Sequence, residues 1–371
     1  MTVLRIAYVI QEFPKLSETF IAGELAELRR RGVEVRILSR RQPAEQLRHS
    51  FIADSGLDQL AVYGAENFSD ALAEFQPDLI HAHYSTDPTA NARMLAAEFG
   101  VPFTFTAHGF DIYFRAPSDF AERAAAAAAV ITVSEANARH IATSFGVPRE
   151  RIRVISCGVN TTLFRPAEGT DTAARDIGST APPGPIVCVA RHRPVKNLGL
   201  LLEACAILRD RGVNFRCVMV GDGPSHDELA GIRAQLRLES RVEMVGAATQ
   251  ATVLEWLRRA SVAVLSSHSE GMPVSLMEAG ACGVPVVAPR VGGIPELVED
   301  GVTGLITPPG DAQAMADALE QLLSSPPLRA EMGRAARRCI MANFSIGGQV
   351  VRLLKLWSDL GIIATNGRAA S

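Results

Sequence analysis

Two carboxylates, Glu270 and Glu278, stand in the stretch 266–293, which reads SSHSEGMPVSLMEAGACGVPVVAPRVGG. An apolar run at 262–265 precedes it and predicts a buried strand. Gly271 and Pro273 then mark a tight turn, with a helix starting at about Val274. The first turn of such a helix leaves backbone N–H groups without intrahelical partners, a natural place for an anion. Glu278 sits one turn in, and Glu270 in the loop before it. Acids on both sides of a phosphate-sized nest point to a ligand carrying hydroxyls and phosphates, and a nucleotide sugar is such a ligand. Two carboxylates can also serve a glycoside hydrolase as acid and nucleophile. Their separation decides between the two, and a step from loop into helix leaves either outcome open.

Other residues sit where strands end. Arg191 and Lys196, in ARHRPVKN, follow the apolar run IVCVA. A pyrophosphate needs fixed positive charge, which Arg supplies as a fork and Lys as a point charge, but a solvated basic turn has the same composition. His108, in TFTAHGFDIY, is placed to donate to a ligand, or else is satisfied by local backbone. His81 and His83 alternate in LIHAHY and so share one strand face. No third metal ligand stands near them in sequence, so His81 reads as a packed sheet position. Ser134, ahead of Glu135 in SEANARHI, reads as a helix cap. Gly221 and Gly223 form a G-x-G after a strand, but position 226 is His226, so a turn explains them better than a dinucleotide fingerprint. Gly292 and Gly293 either let backbone approach phosphate or sugar, or form a flexible turn.

The elements that position these residues alternate strand and helix. Strands are predicted at 3–10, 33–38, 79–83, 102–106, 130–133 and 152–155. A second series falls at 186–190, 215–220, 242–245, 262–265, 284–288 and 304–306. Helices lie between, including 17–31 capped by Ser17, 90–99, 120–128, 198–209, 225–236, 249–259 and 312–323. A last amphipathic helix spans 345–360. Composition turns Gly-, Pro- and Ser-rich at 167–185, as in a linker. The expected organisation is α/β. A first Rossmann-like doubly wound domain covers 1–168, a linker 169–185 and a second such domain 186–344. A helix at 345–361 crosses back to the first domain, and a polar tail covers 362–371. Two parallel sheets so joined would form a cleft, with ligands at the carboxyl ends of the strands.

With 371 residues, 47% hydrophobic and 21% charged, the chain suits a two-domain soluble protein, and its net charge of −3 argues against a nucleic-acid partner. No apolar run reaches the roughly 18 residues of a transmembrane helix. The opening MTVLRIAYVI reads as a strand rather than a signal peptide, so a cytoplasmic location is expected. Peripheral contact with the inner membrane face through Arg29, Arg30, Arg31, Arg40 and Arg41 is one extension of that reading. Six cysteines, without C-x-x-C pairs or zinc spacing, are expected to be reduced and packed.

The segment SEGMPVSLMEAGACGVPVVAPRVGGIPELVEDGVTGLI closely resembles the signature of the family 4 retaining glycosyltransferases, whose fold is GT-B, and Glu270 and Glu278 form its E-x7-E element. ARHRPVKN is similar to their donor-phosphate loop, with Asn197 where many members have Gly. TAHGFD, TVSE and ISCGVNTTLFRP fit in order. The opening YVIQEFPKLSETFIAGELAEL resembles a branch that builds exopolysaccharide and lipopolysaccharide chains of the colanic-acid type.

The resemblance implies roles. Arg191 and Lys196 would neutralise the diphosphate of a UDP- or GDP-sugar. The turn Gly271, Met272, Pro273 and the N–H groups of Val274 and Ser275 would hold the same phosphates. Glu278 would take the ribose hydroxyls, Glu270 and His108 the transferred hexose, and Gly246 would lie at the base. His108, Glu270, Arg191 and Lys196 would form the catalytic set. It implies no cofactor and no metal, because no D-x-D motif is needed. The acceptor would be a glycan or lipid-linked oligosaccharide. A nucleotide-sugar epimerase on the same scaffold and a non-catalytic sugar-nucleotide-binding subunit are the rival readings.

Overall fold

The computed structural model describes residues 3–44, 46–168 and 183–362. The expected linker at 169–185 lies outside them up to residue 182, as does the expected tail from residue 363. The chain forms two compact units, Met1–Gly158 with Ile346–Ser371, and Val159–Ser345. The division falls before the expected 168. Val159 bridges Ser345 in parallel and donates its N–H to the Phe344 carbonyl at 2.9 Å, which ties the segment after Gly158 to the second unit.

The first unit is built on seven strands: β1 (Arg5–Glu12), β2 (Glu34–Arg41), β3 (Ala61–Tyr63), β4 (Leu79–His83), β5 (Phe103–Ala107), β6 (Ala129–Thr132) and β7 (Ile152–Val154). Their order is β3-β2-β1-β4-β5-β6-β7, and every pairing is parallel. Side-chain alternation on β1 splits the core in two. Ala7 and Val9 join Phe105 and Phe120 on one face, while Ile6, Tyr8 and Ile10 join Leu25 and Leu28 on the other. The helix Ile346–Asp359 belongs to this second layer and lays Val350, Leu353, Leu356 and Trp357 into it at helical spacing. Trp357 is fully buried, and its Nε1–H donates to Thr104 Oγ1 at 3.3 Å.

Differences from the sequence reading have local causes. The first helix runs Thr19–Arg30 and Ser17 does not cap it. The Glu18 N–H instead bonds back to the Lys15 carbonyl at 3.0 Å, which carries the chain past Ser17 in a turn. Strand β3 was not expected, because three half-buried residues at a sheet edge carry no alternation to read. The helix Pro326–Asn343 was also missed. Its buried side is largely small residues, Ala330, Gly333 and Ala336, interrupted by a buried Arg329.

The second unit has six parallel strands: β8 (Ile186–Val189), β9 (Cys217–Val220), β10 (Val242–Gly246), β11 (Val262–Val264), β12 (Val286–Pro289) and β13 (Gly304–Thr307). They run in the order β10-β9-β8-β11-β12-β13. Both sheets are doubly wound α/β. In each, the order reverses once, at β1/β4 and at β8/β11, and loops leaving adjacent strands there diverge to opposite faces and open a crevice.

Replacing Trp357 by Ala removes the largest buried side chain of the second layer, and should cost about 3–5 kcal/mol in urea unfolding. A loss below about 1 kcal/mol would show that the helix contributes little to the first unit.

Candidate functional site

The reversal at β8/β11 gathers the sequence candidates of the second unit. Lys196 ends the short helical turn Pro194–Lys196 after β8, and Glu270 lies in the loop after β11. Lys196 Nζ donates to Glu270 Oε1 at 2.6 Å, and Ser267 Oγ donates to the same oxygen at 2.6 Å. Glu270 is only 8% exposed. Bonds to main-chain carbonyls stitch the two loops together as well. Ser266 Oγ donates to the Lys196 carbonyl at 3.0 Å, and the His268 N–H to the Val195 carbonyl at 2.9 Å. Arg191 stands exposed at the carboxyl end of β8. Asn197 adopts φ +46°, a left-handed conformation that explains why glycine suits this position and why Asn is the tolerated substitute.

The glycines serve close packing of protein on protein. A Cβ at Gly292 would lie 1.7 Å from the Glu270 carbonyl oxygen, and the Gly293 N–H donates to that oxygen at 3.2 Å. The loop after β12 therefore grips the main chain of Glu270, and that is the close approach Gly292 allows. Gly221 and Gly223 do the same for the loop after β8. Added Cβ atoms would meet the Ala190 and His192 carbonyl oxygens at 2.0 and 2.5 Å. The turn reading of that G-x-G holds.

Pro273 stands at the N-cap and the helix runs Val274–Ala281, so Val274 and Ser275 open its first turn. Glu278 lies one turn in and is 6% exposed. Burial pushes its carboxyl up to about 8, against the opposing hydrogen bond of Gln250. Gly246 ends β10 with φ +82°, its carbonyl accepts the Gly221 N–H at 2.8 Å, and the space where a side chain would stand is open. Ser267 and Gln250 were not singled out from the sequence. Ser267 stands three residues before Glu270 in SSHSE, and the only signal for Gln250 was its place just after β10.

His108 belongs to the first unit, where it follows β5 and is 8% exposed. Its Nε2 lies 3.1 Å from His83 Nδ1, and its ring packs against Phe20 and Tyr84 with centroids 5.0 and 4.8 Å away. Its main chain is fixed by Asp111 Oδ1, which accepts the His108 N–H at 2.8 Å, and by Asn137, which donates to its carbonyl at 3.1 Å. Burial, then the neighbouring His83, hold the imidazole well below its ordinary pKa, so it is neutral. Behind it, His83 Nε2 is 3.4 Å from Glu24 Oε1, which accepts the Tyr8 hydroxyl at 2.7 Å. Gln349 donates to the other Glu24 oxygen at 2.5 Å. His81 packs as expected, between Thr104 and Thr106 hydroxyls and edge-on to Trp357. The absence of a third metal-ligand type near the two histidines is corrected. Folding brings Glu24 within 4.8 Å of both, though that carboxylate is already engaged by Tyr8 and Gln349.

Three smaller expectations can be placed. Ser134 caps its helix, its Oγ accepting the Asn137 N–H at 3.2 Å. All six cysteines are free, and burial drives the Cys157 thiol up to about 12. The arginines considered for lipid contact are largely engaged within the protein: Arg30 and Arg31 on Glu27, Arg40 on Asp87, and Arg29 on the Ser55 carbonyl.

The chain is similar to known proteins along most of its length. The family model described as Glycosyltransferase Family 4 matches residues 17–163, and that described as Glycosyl transferases group 1 matches 171–339. The D-inositol 3-phosphate glycosyltransferase of Frankia alni is 31% identical over 281 residues, covering 70% of this chain and 69% of that one. The chain belongs to the family 4 glycosyltransferases. It is also 28% identical, over 85% of its length and 90% of the relative, to the Escherichia coli glycosyltransferase WcaL, named for colanic acid biosynthesis. Among solved structures, Anabaena HepE in complex with UDP superposes with a TM-score of 0.79 at 20% identity, over 96% of this chain and 100% of that one, a likeness of fold. In this glycosyltransferase, Lys196 and Glu270 meet at the β8/β11 reversal. No helix among the described residues is long and apolar enough to cross a membrane.

Two outcomes follow from this packing. Glu278 titrates near 8 folded and near 4.5 when unburied, so the unfolded chain loses its proton first. Its contribution to stability is fully present below about 4.5 and is lost as pH rises to about 8, for a total on the order of 3–5 kcal/mol. Glu278→Gln should flatten that part of the stability–pH curve relative to wild type, and parallel curves would refute the burial argument. Gly292→Ala should destabilise by more than about 2 kcal/mol, because backbone must move to admit the methyl group. Wild-type denaturant midpoints would contradict it.

Proposed function

We propose that this glycosyltransferase is a retaining enzyme that moves a hexose from a UDP- or GDP-sugar to a growing, lipid-linked oligosaccharide in cell-surface polysaccharide assembly. The observation that carries the reading is the Lys196–Glu270–Ser267 cluster at the β8/β11 reversal, in one unit with the first turn of the helix Val274–Ala281. Named relatives support it: WcaL for the polymer class and HepE for a uridine diphosphate ligand.

In this reading the donor diphosphate takes Arg191, Lys196 and the N–H groups of Val274 and Ser275, beside the turn Gly271, Met272 and Pro273. Glu278 holds the ribose hydroxyls, and the open space at Gly246 receives the base. Glu270 and His108 hold the hydroxyls of the transferred sugar, His108 as a neutral imidazole with one donor and one acceptor nitrogen. Bond breaking puts negative charge on the leaving phosphate and oxocarbenium character on the sugar. The gain is therefore greatest where fixed cations meet the leaving oxygen. The departing phosphate then takes the acceptor's proton on the face it leaves, which retains configuration without a protein nucleophile. No metal or cofactor is invoked, because Arg191 and Lys196 supply the positive charge.

Arg191→Ala and Lys196→Ala should each lower turnover by at least about 100-fold, the scale of one lost transition-state contact. Transfer is to be measured with UDP- and GDP-sugars chosen by thermal shift, with a lipid-linked glycan as acceptor. Near-wild-type turnover in both variants would sink the phosphate assignment. A new sugar epimer formed without acceptor would favour the epimerase, and donor binding without transfer the non-catalytic subunit.

A further inference from the structure

Next to Arg191, the chain buries an imidazole for which the donor reading has no use. His192 is fully buried, and neither of its ring nitrogens has a hydrogen-bond partner among the described residues. An imidazole withdrawn from water with both nitrogens unpaired is costly, and such a group calls for a partner. What covers it is His226, stacked on it with ring centroids 5.2 Å apart and an interplanar angle of 22°. His226 is about one third exposed, so His192 lies one side chain below the surface. Asp222 completes the group. Its Oδ1 is 3.3 Å from His226 Nδ1, which is close but without hydrogen-bonding geometry.

Ligand atoms of His192, Asp222 and His226 all lie within 4.8 Å of one another. We propose that these three residues form a divalent transition-metal site of the zinc class, clamping the loop after β8 onto the turn after β9. Two imidazoles and a carboxylate are a borderline-soft donor set that suits zinc and leaves a fourth position for water. The segments that carry the ligands are already tied. The His192 N–H donates to the Asp222 carbonyl at 2.9 Å, and the Ser225 N–H to the His192 carbonyl at 3.0 Å. Gly221 and Gly223, which no side chain could replace without striking the Ala190 and His192 carbonyls, bring the turn that close.

No metal-ligand spacing is visible along the chain, because Asp222 and His226 are four apart but His192 is brought in from another loop. This clamp is separate from the donor chemistry. It neither supplies nor replaces the cations on the diphosphate, and it stands or falls independently of the proposed reaction.

The test uses the untagged full chain, stripped with a chelator and titrated with cobalt(II), with visible absorbance as the readout and zinc as the competitor. Wild type should take up one saturable equivalent with the intense bands of a low-coordinate site. Zinc should displace it and raise the melting temperature. Uptake should weaken as pH falls through the imidazole range. His226→Ala and Asp222→Asn alter side chains that reach the surface, so they should keep the wild-type far-UV circular dichroism while losing the saturable equivalent and the thermal shift. No saturable uptake by wild type overturns the proposal. So does the same uptake by His226→Ala, since that metal would be held elsewhere, for example at Glu24, His81 and His83.

Discussion

A lysine ammonium and a glutamate carboxylate held 2.6 Å apart at the carboxyl ends of two neighbouring strands organise the second unit. Glu270 is buried while Lys196 keeps part of its side chain in solvent, and the buried carboxylate is the half that would be left without its charge partner. Much of the surrounding chain is arranged so that the pair does not come apart. Ser267 shares the carboxylate oxygen, Ser266 and His268 fasten the lysine's own loop, and Gly292 and Gly293 lock the glutamate's main chain from the far side. Positions that look unremarkable one by one are conditions for this contact.

The first unit solves a different problem with the same economy of parts. His108 is held from several sides: the His83 imidazole at one nitrogen, aromatic faces beside the ring, and Asp111 and Asn137 on its main chain. Phe20, from the helix after β1, is one of those faces, so the unusual FP-x-x-SETF opening bears directly on this histidine. The chain of contacts continues through His83 to Glu24, which Tyr8 and Gln349 hold from opposite oxygens. These contacts form a polar network inside a hydrophobic layer. Such a network specifies a unique arrangement only when its members are satisfied.

What could be read in the sequence follows from range. Alternating strand and helix patterns, Ser134 as a cap and the helix start at Val274 are local, and each is found where composition put it. Strand β3 and the helix Pro326–Asn343 escaped because their apolar signal is too short or too small-residue to stand out. Of the site, residue types and strand-end positions were legible. The pairing of Lys196 with Glu270, the hydrogen bond of Gln250 to Glu278 and the meeting of Glu24 with two histidines were not. Those partners lie far apart along the chain, and sheet order alone makes them neighbours. Gly292 shows the same limit. Its type signalled a close approach, but only the fold says that the approaching atom is the Glu270 carbonyl.

The burial of Glu278 changes the electrical character of the proposed donor site. With that carboxyl neutral, Arg191, Lys196 and Glu270 leave one surplus positive charge; with it ionised, the three would be cancelled. On the proposed donor reading, an incoming diphosphate would meet net attraction there while Glu278 stays protonated. Burial lets that acid keep its place as a hydrogen-bonding group with its ionisation suppressed. The packing that hides the carboxyl would then also favour an anionic ligand.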